Sequence, residues 1–248
     1  MANNISVIIL TKNSEKYVST CLNALEKFDE IILLDNGSND ETINIAKNFK
    51  NVKIHTNEFI GFGPLKNLAI SYTKNEWILS IDSDEIFSDE LCHEILNIQL
   101  NKNTIYAILR DNYYNGKLMK CCGWENDYVL RLFNKNTTKF NDKQVHESLI
   151  LDNANIVKLN NSFKHYPFKN AIELIHKMQH YSSLYAFEHK NNKSSSPTKA
   201  FFRGAFTFFK NYFLQKGFLY GYEGLLIAIS NANGTFYKYI KLYEENKK

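Results

Sequence analysis

The chain has 248 residues, of which 44% are hydrophobic, and a formal net charge of +4. This length allows one large domain, or one domain with an appendage, and it can bury a substantial core. The small net charge gives no argument for nucleic acid as a partner and is compatible with acidic ligands such as nucleotide sugars or anionic lipid head groups.

The four cysteines, Cys21, Cys92, Cys121 and Cys122, have no CxxC spacing. They are typical of free thiols in a reducing compartment. The first apolar run, Ile5–Leu10, has no basic n-region and no cleavage site, so it is not a signal peptide. No segment approaches the ~20 apolar residues that a membrane-spanning helix needs. These features predict a cytoplasmic protein.

Apolar runs alternate with amphipathic segments over the first part of the chain. The pattern predicts strands at Ile5–Leu10, Glu30–Leu34 and Val52–Ile54 and helices at Glu15–Leu25 and Glu41–Phe49. The order β-α-β-α-β predicts a parallel sheet with right-handed crossovers. Each strand ends in polar residues, which should therefore meet at one edge of the sheet.

The stretch Glu76–Phe87 is an apolar run that ends abruptly in Asp82-Ser83-Asp84-Glu85. It predicts a strand that is buried on both faces, with carboxylates at its carboxyl end, where open α/β sheets bind ligands. Asp82 and Asp84 are spaced to hold Mg²⁺ or Mn²⁺ that arrives with a diphosphate. Alternatively, the acidic residues cap the predicted helix Asp89–Leu100.

A Gly-Phe-Gly-Pro turn at residues 61–64 precedes a predicted helix, Leu65–Tyr72, with Pro64 in its first turn. The GxG pattern lacks a third glycine and does not directly follow an apolar strand, so it is weak evidence for phosphate binding. Lys66 is placed to reach a diphosphate, or else it is a solvated helix lysine.

Further strands are predicted at Tyr106–Leu109 and Tyr128–Phe133. The motif Val145-His146-Glu147-Ser148 follows. A buried glutamate beside a histidine is a candidate general base, although a surface salt bridge has the same sequence pattern. His165-Tyr166-Pro167 ends the α/β part, so we expect one domain over residues 1–167 and a second region over residues 168–248.

The C-terminal region begins with a predicted amphipathic helix, Lys169–Lys190, and a polar linker, Asn191–Pro197. Beyond the linker, ten Phe and Tyr residues between 201 and 222 are interleaved with Lys and Arg. This composition favours association with a membrane interface. The alternatives are that the segment covers the sheet edge or forms a homodimer contact.

Four segments in this order resemble the nucleotide-binding half of glycosyltransferase family 2: ISVIILTKN, IILLDNGSNDET, GFGPLKNLAI and WILSIDSDE. GWENDYVLRLFNK, QVHES and the aromatic tail resemble the branch that adds a sugar, often glucose, to the lipopolysaccharide or lipooligosaccharide inner core. The resemblance covers nearly the whole chain. It implies the α/β GT-A (Rossmann-like) fold, with a mostly parallel sheet and a C-terminal helical, aromatic-rich extension.

The resemblance also implies site residues. The nucleoside pocket would be lined by Thr11, Asn13, Glu15 and Asp35, with Lys66 beside it. Asp82 would lie on the ribose or metal side, and Asp84 and His165 would bind Mg²⁺ or Mn²⁺. Glu147 falls where many relatives carry a base carboxylate, within a motif that here reads His-Glu rather than Glu-Asp, and Asp127 is the alternative base.

The activity implied is an inverting, metal-dependent hexosyl transfer, with glucose from UDP-glucose as the expected donor and a lipooligosaccharide core sugar as acceptor. The expected location is the inner face of the cytoplasmic membrane, as a peripheral protein. Transfer to another lipid-linked glycan or to a polyprenyl phosphate is an alternative, and a non-catalytic membrane-associated scaffold is another. The residues do not specify the sugar, the linkage or the oligomeric state.

Overall fold

A computed structural model of the protein describes residues 2–142, 147–168 and 170–248. The chain divides into two compact units. The first comprises Met1–Arg110 and Tyr128–His165, and the second comprises Asp111–Asp127 and Tyr166–Lys248. His146 of the predicted His-Glu motif and Lys169, the first residue of the predicted C-terminal helix, lie outside the described residues.

The nine described strands are β1 (Ile5–Thr11), β2 (Glu30–Asp35), β3 (Val52–Thr56), β4 (Trp77–Asp82), β5 (Glu85–Phe87), β6 (Thr104–Tyr114), β7 (Lys117–Leu118), β8 (Tyr128–Asn134) and β9 (Asn155–His165). The α-helices are α1 (Val18–Ala24), α2 (Thr42–Ala46), α3 (Phe62–Ser71), α4 (Asp89–Asn97), α5 (Ala171–His189), α6 (Pro197–Phe209) and α7 (Gly221–Glu245). A π-helical turn, Lys210–Leu214, and a 3₁₀ turn, Gly217–Tyr220, connect α6 to α7.

The sheet has the strand order β3-β2-β1-β4-β8-β6-β9-β5, with β7 paired to the end of β6. Strands β3, β2, β1 and β4 are parallel to one another, as the β-α-β-α-β order predicts. Strand β8 pairs antiparallel with both β4 and β6, and β5 pairs antiparallel with β9. This mixed sheet and the helices that end the chain confirm the predicted fold class.

The central parallel strands are buried on both faces. Side chains from β1 alternate between two separate hydrophobic clusters: Val7 and Ile9 face one, and Ile8 faces the other. The same alternation divides Leu79 from Ile78 on β4. Burial on both faces explains why these strands are continuous apolar runs, as their sequence predicted.

One alternative helix cap and one helix start differ from the predictions. Helix α4 is capped by Ser88, whose Oγ accepts a hydrogen bond from the backbone N–H of Leu91 at 3.2 Å. The alternative reading of Asp82–Glu85 as this helix cap is therefore wrong. Helix α3 begins at Phe62, three residues earlier than predicted, because Gly61 adopts a φ of 109° that a glycine permits at the turn into the helix.

Glu30, at the start of β2, is a buried carboxylate that connects several strands. It accepts hydrogen bonds from Ser6 Oγ, from Lys53 Nζ at 2.8 Å and from the backbone N–H of Lys74 at 2.8 Å. Burial alone would raise the pKa of Glu30, but these donors outweigh burial and hold the pKa below its usual range.

We expect Glu30→Gln to lower the free energy of unfolding by about 1–3 kcal/mol at neutral pH, since a charged acceptor is replaced by a neutral one. Because the folded-state pKa is depressed, the contribution is present above the unfolded pKa, about 4.3. It is lost as the pH falls through the still lower folded value. Urea unfolding at several pH values measures this, with the exposed Glu26→Gln as the matched control. If the difference in free energy of unfolding between the wild type and Glu30→Gln grew as the pH was lowered, this prediction would be contradicted.

The second unit is mostly helical. Helices α5 and α6 both pack on α7, around a core that includes Met119, Cys122, Leu174 and Ile227. All four cysteines of the chain are buried, free thiols, as predicted. No helix among the described residues is long and apolar enough to cross a membrane.

Candidate active site

The strand register brings three predicted site residues to one edge of the sheet. Thr11 ends β1 and pairs with Asp35, which ends β2. On the other side of β1, Leu10 pairs with Asp82, the last residue of β4. Because the three strands are parallel, their carboxyl ends coincide, which is where ligands bind in open α/β sheets.

Asp35 shapes the turn that follows β2. Its Oδ2 accepts hydrogen bonds from the backbone N–H groups of Gly37 and Ser38 at 3.0 and 2.9 Å, and its Oδ1 accepts one from Ser38 Oγ. Thr11, next to it in the register, has a buried hydroxyl that makes no hydrogen bond to any described residue. An unsatisfied buried hydroxyl is costly unless a ligand or water pairs with it.

Asn13 and Glu15 join the loop after β1 to the loop after β2. Asn13 Oδ1 accepts from the backbone N–H of Asn39 at 2.9 Å, and Glu15 Oε2 accepts from that of Glu41 at 3.2 Å. Asn13 has a φ of 52°, a left-handed conformation that asparagine tolerates. Both side chains therefore hold the rim of the predicted nucleoside pocket.

Lys66, on α3, is buried and lies between two carboxylates. Its Nζ is 2.9 Å from Glu147 Oε1 and 3.4 Å from Asp82 Oδ1, and it lies 5.2 Å from the ring centroid of Phe140. The alternative reading of Lys66 as a solvated lysine is wrong, because its side chain is only 4% exposed. The structure thus brings Lys66, Asp82 and Glu147 together.

Arg131, on β8, and Glu85, on β5, form a buried ion pair next to Asp82. Arg131 Nη2 donates to Glu85 and also to Asp82 Oδ2 at 2.8 Å. Burial disfavours the charged form of Asp82, but Lys66 and Arg131 outweigh it and hold the pKa of Asp82 far below its usual range. Lys66 and Arg131 therefore favour the ionised form of Asp82.

Glu85 is in a different environment, although it contacts the same arginine. Burial raises the pKa of Glu85 to about 8; Arg131 opposes this rise, and the neighbouring carboxylates of Asp82 and Asp84 add to it. The backbone N–H of Asp82 donates to Glu85 Oε2 at 3.0 Å. Glu85 and Arg131 thus form the buried support of the acidic turn.

Asp84 and His165, the two residues predicted to bind a cation, are neighbours. The pairing of β5 with β9 sets Glu85 opposite His165, and His165 Nε2 lies 3.5 Å from Asp84 Oδ2. The Asp84 side chain is 36% exposed and that of His165 is 10% exposed. The Asp84 carboxylate and the His165 imidazole are thus close enough to form an ion pair when the histidine is protonated.

The charges around Asp82 favour a bound cation. Four carboxylates, those of Asp82, Asp84, Glu85 and Glu147, face two permanent cations, Lys66 and Arg131. Glu85, whose pKa is raised to about 8, is largely protonated at neutral pH. When the other three carboxylates are ionised, one negative charge remains in excess, which a bound cation would offset. Among the described residues, no three His, Cys, Asp or Glu side chains are grouped to hold a metal by themselves. Mg²⁺ characteristically binds one or two carboxylates and completes its shell with substrate phosphates.

Asp127, the alternative base, belongs to the second unit. There its Oδ2 accepts a hydrogen bond from Asn112 Nδ2 at 2.9 Å. Sequence reasoning missed Arg131 as part of the site, and it named Glu85 only as a member of the acidic turn and not as the partner of Arg131. The signal was present in the strand Tyr128–Asn134, where a single arginine interrupts an apolar run and therefore needs a buried partner.

Comparison with known proteins gives a family match. Residues 6–150 match the family model described as Glycosyl transferase family 2. An uncharacterized glycosyltransferase of Rickettsia typhi is 30% identical over 97% of this chain and 87% of its own length. The matched residues include the edge of the sheet that carries Thr11, Asp35 and Asp82.

Two further similarities involve one Staphylococcus aureus protein. The poly(ribitol-phosphate) beta-N-acetylglucosaminyltransferase TarS is 35% identical over 34% of this chain and 17% of its own length. The crystal structure of TarS residues 1–349 in complex with UDP-GlcNAc aligns with a TM-score of 0.48 and 16% identity. That alignment covers 99% of this chain and 90% of the TarS fragment.

Proposed function

This chain belongs to glycosyl transferase family 2, and from that premise we propose that it transfers a hexose from a UDP-sugar, with inversion, to a sugar of a lipooligosaccharide inner core. Glucose is the proposed hexose. The observation that carries the proposal is the joining of Lys66, Asp82 and Glu147 in one ion-paired cluster beside Asp84. TarS, a relative named for a beta-N-acetylglucosaminyl transfer, supports a nucleotide-sugar donor.

In this proposal the nucleoside lies against Thr11 and Asp35, and the donor diphosphate lies near Lys66 and Asp84. The unpartnered Thr11 hydroxyl supports this assignment, since a nucleoside would supply the hydrogen bond that the protein does not. Asp84 and His165 would hold Mg²⁺ or Mn²⁺, and the bound cation would neutralise charge on the leaving diphosphate. Asp82, kept ionised by its two cations, orients the ribose or lies beside the metal.

Glu147 is the proposed general base. Its Oε1 is paired with Lys66, and its Oε2 has no hydrogen-bond donor among the described residues. Glu147 takes the proton of the acceptor hydroxyl as that oxygen attacks the anomeric carbon from the face opposite the diphosphate. The new carbon–oxygen bond forms while the bond to the diphosphate breaks, and UDP leaves. A single displacement of this kind inverts the anomeric configuration.

We also propose that the two predicted regions of the chain have different functions. Residues 1–167 would bind the donor and perform the transfer, and residues 168–248 would contact the acceptor or its membrane. The many exposed aromatic side chains between 201 and 222 support a lipid-linked acceptor, because such surfaces need an apolar environment. The protein would then be peripheral on the inner face of the cytoplasmic membrane.

Donor binding tests the proposed function directly. We would titrate the purified protein with UDP-glucose, UDP-galactose, UDP-N-acetylglucosamine and GDP-mannose by calorimetry, once with Mn²⁺ and once with EDTA. We expect one uridine donor to bind, and to bind at least about tenfold more tightly with Mn²⁺, since the cation offsets phosphate charge next to four carboxylates. If a folded sample binds no donor under either condition, the non-catalytic scaffold is the better account.

A further inference from the structure

One side of helix α6 and of the turns after it carries large apolar side chains in contact with solvent. We call this surface the apolar crest; its side chains are each about half exposed or more, and they are Phe201, Phe202, Phe206, Phe209, Phe213, Leu214, Phe218 and Leu219. Phe202, Phe206 and Phe209 follow helical spacing and therefore share one face. Monomeric proteins rarely expose so large a contiguous apolar patch without a partner for it.

The opposite face of α6 packs closely on α7. Ala200 and Gly204 are buried there. A Cβ atom on Gly204 would lie 3.1 Å from Phe236 Cβ and 3.3 Å from the carbonyl oxygen of Ala232. This close approach of the two helices sets the rotation of α6 and directs the apolar crest away from α7.

A cavity of about 250 Å³ lies along one flank of the crest, between α6 and α7. We call it the basic cavity; three cations and three hydroxyl groups line it, those of Arg203, Lys210, Lys238, Thr207, Thr235 and Tyr239. No aspartate or glutamate is among its lining residues. Neither Arg203 nor Lys210 forms an ion pair with any described residue, so both side chains are available to an anion. Cations and hydroxyl donors of this kind suit a phosphate group.

A second, apolar groove of about 350 Å³ lies along the other flank of α6. Its lining includes Phe201, Ala205, Phe208, Ile229 and Phe236. The crest is thus bordered by a phosphate-compatible cavity on one side and by a hydrocarbon-compatible groove on the other. An amphiphile with an anionic head group and an acyl chain presents the same two chemistries side by side.

We infer that α6 lies in the interface of a membrane that contains anionic phospholipids, with lipid phosphate in the basic cavity and the apolar crest among the acyl chains. Aromatic residues on one face and Arg and Lys beside them are the pattern of interfacial helices. This inference rests on the proposed function only for the presence of a lipid-linked acceptor. Beyond that function, it specifies anionic phospholipids as the lipid class and the residues that would recognise them.

Charge distinguishes a membrane from a second copy of the chain as the partner of this surface. A two-fold contact between two crests would place the same patch against itself. The uncompensated Arg203 and Lys210 of each copy would then face one another, and like charges in contact repel. An anionic bilayer instead attracts each of these side chains, while it also removes the aromatic rings from water.

Vesicle sedimentation of the full-length protein tests the inference. The vesicles are phosphatidylcholine alone, or phosphatidylcholine with about one third phosphatidylglycerol. We expect the protein to bind the anionic vesicles more tightly than the phosphatidylcholine vesicles. The double variant R203Q/K210Q should bind them about 25-fold more weakly, the product of about a fivefold effect of each charge near an anionic surface. K47Q/K50Q, which removes two exposed charges from the first unit, is the matched control and should bind as the wild type does.

A second variant and a solution measurement complete the test. F202S/F209S, which changes only exposed rings, should weaken binding to anionic vesicles at least about tenfold without lowering the melting temperature. Wild-type binding by R203Q/K210Q would overturn the inference, and so would a lipid-free dimer that F202S/F209S dissociates. UDP-sugar binding by these variants is measured separately. If the wild type binds vesicles but no donor, the proposed transfer fails and the lipid site stands.

Discussion

The Glu147→Gln variant is expected to lose turnover by about 10²–10⁴-fold while it retains donor binding. A glutamine amide cannot accept the proton of an attacking hydroxyl, and removal of a general base costs this much. The amide oxygen can still accept a hydrogen bond from Lys66, which lies 2.9 Å from Glu147 Oε1. Asp82 continues to face the buried lysine, so the site should keep its shape. Single-turnover kinetics and calorimetric donor titration measure the two effects separately.

Two further variants make this result specific. Glu26→Gln, which changes an exposed glutamate in the turn after α1, should retain full activity and serves as the matched control. Asp127→Asn tests the alternative base in the second unit. If Glu147→Gln retains near-normal rates and Asp127→Asn loses them, the base is Asp127. The melting temperature of Glu147→Gln should be checked, because unfolding would also abolish turnover.

The Asp84→Asn variant should lose the Mn²⁺-dependent part of donor affinity and reduce turnover by at least about 100-fold, the scale of several kcal/mol that a cation contributes to a developing anion. The variant should fold normally, since the Asp84 side chain is partly exposed and its neighbour is His165 rather than the buried Arg131. His165→Ala should give a smaller effect of the same kind. Donor titrations at several Mn²⁺ concentrations measure the shift.

Asp89→Asn is the control for this experiment. Asp89 is an aspartate in the first turn of α4, its side chain is 81% exposed, and it pairs with Lys27 at the surface. Its substitution should leave donor binding unchanged. Full turnover of the wild type in EDTA, or an undiminished Mn²⁺ response in Asp84→Asn, would remove the metal role assigned to Asp84.

The Glu147→Gln and Asp84→Asn variants test two functions separately, which are proton transfer and cation binding. Lys66 contacts both Asp82 and Glu147, so the diphosphate side and the base side of the proposed reaction share one buried cation. Glu147→Gln changes proton transfer without removing a metal ligand. Asp84→Asn changes cation binding without removing the base. A variant of Lys66 would disturb both, because it would remove the ion-pair partner of Glu147 and leave Asp82 paired with Arg131 alone.

The sequence by itself determined the parallel half of the fold and the edge of the sheet at which several candidate site residues meet. Strands that are buried on both faces must be continuous apolar runs, and such runs are visible at Ile5–Leu10, Glu30–Leu34 and in Trp77–Ile81. Parallel strands end at one edge, so the polar residues that follow them, among them Thr11 and Asp82, had to meet there. Periodicity and turn chemistry are local properties, which is why these predictions needed no tertiary information.

Only the tertiary structure decided how the charges are paired. Arg131 and Glu85 are 46 residues apart in the sequence, and only the sheet order β4-β8 and the β5-β9 pairing bring them together beside Asp82. Strand β9 was not predicted, because its polar sequence lacks the alternation of a half-buried strand. Lys66 similarly became a buried partner of Glu147 through packing between segments about 80 residues apart, a long-range contact that no local pattern encodes.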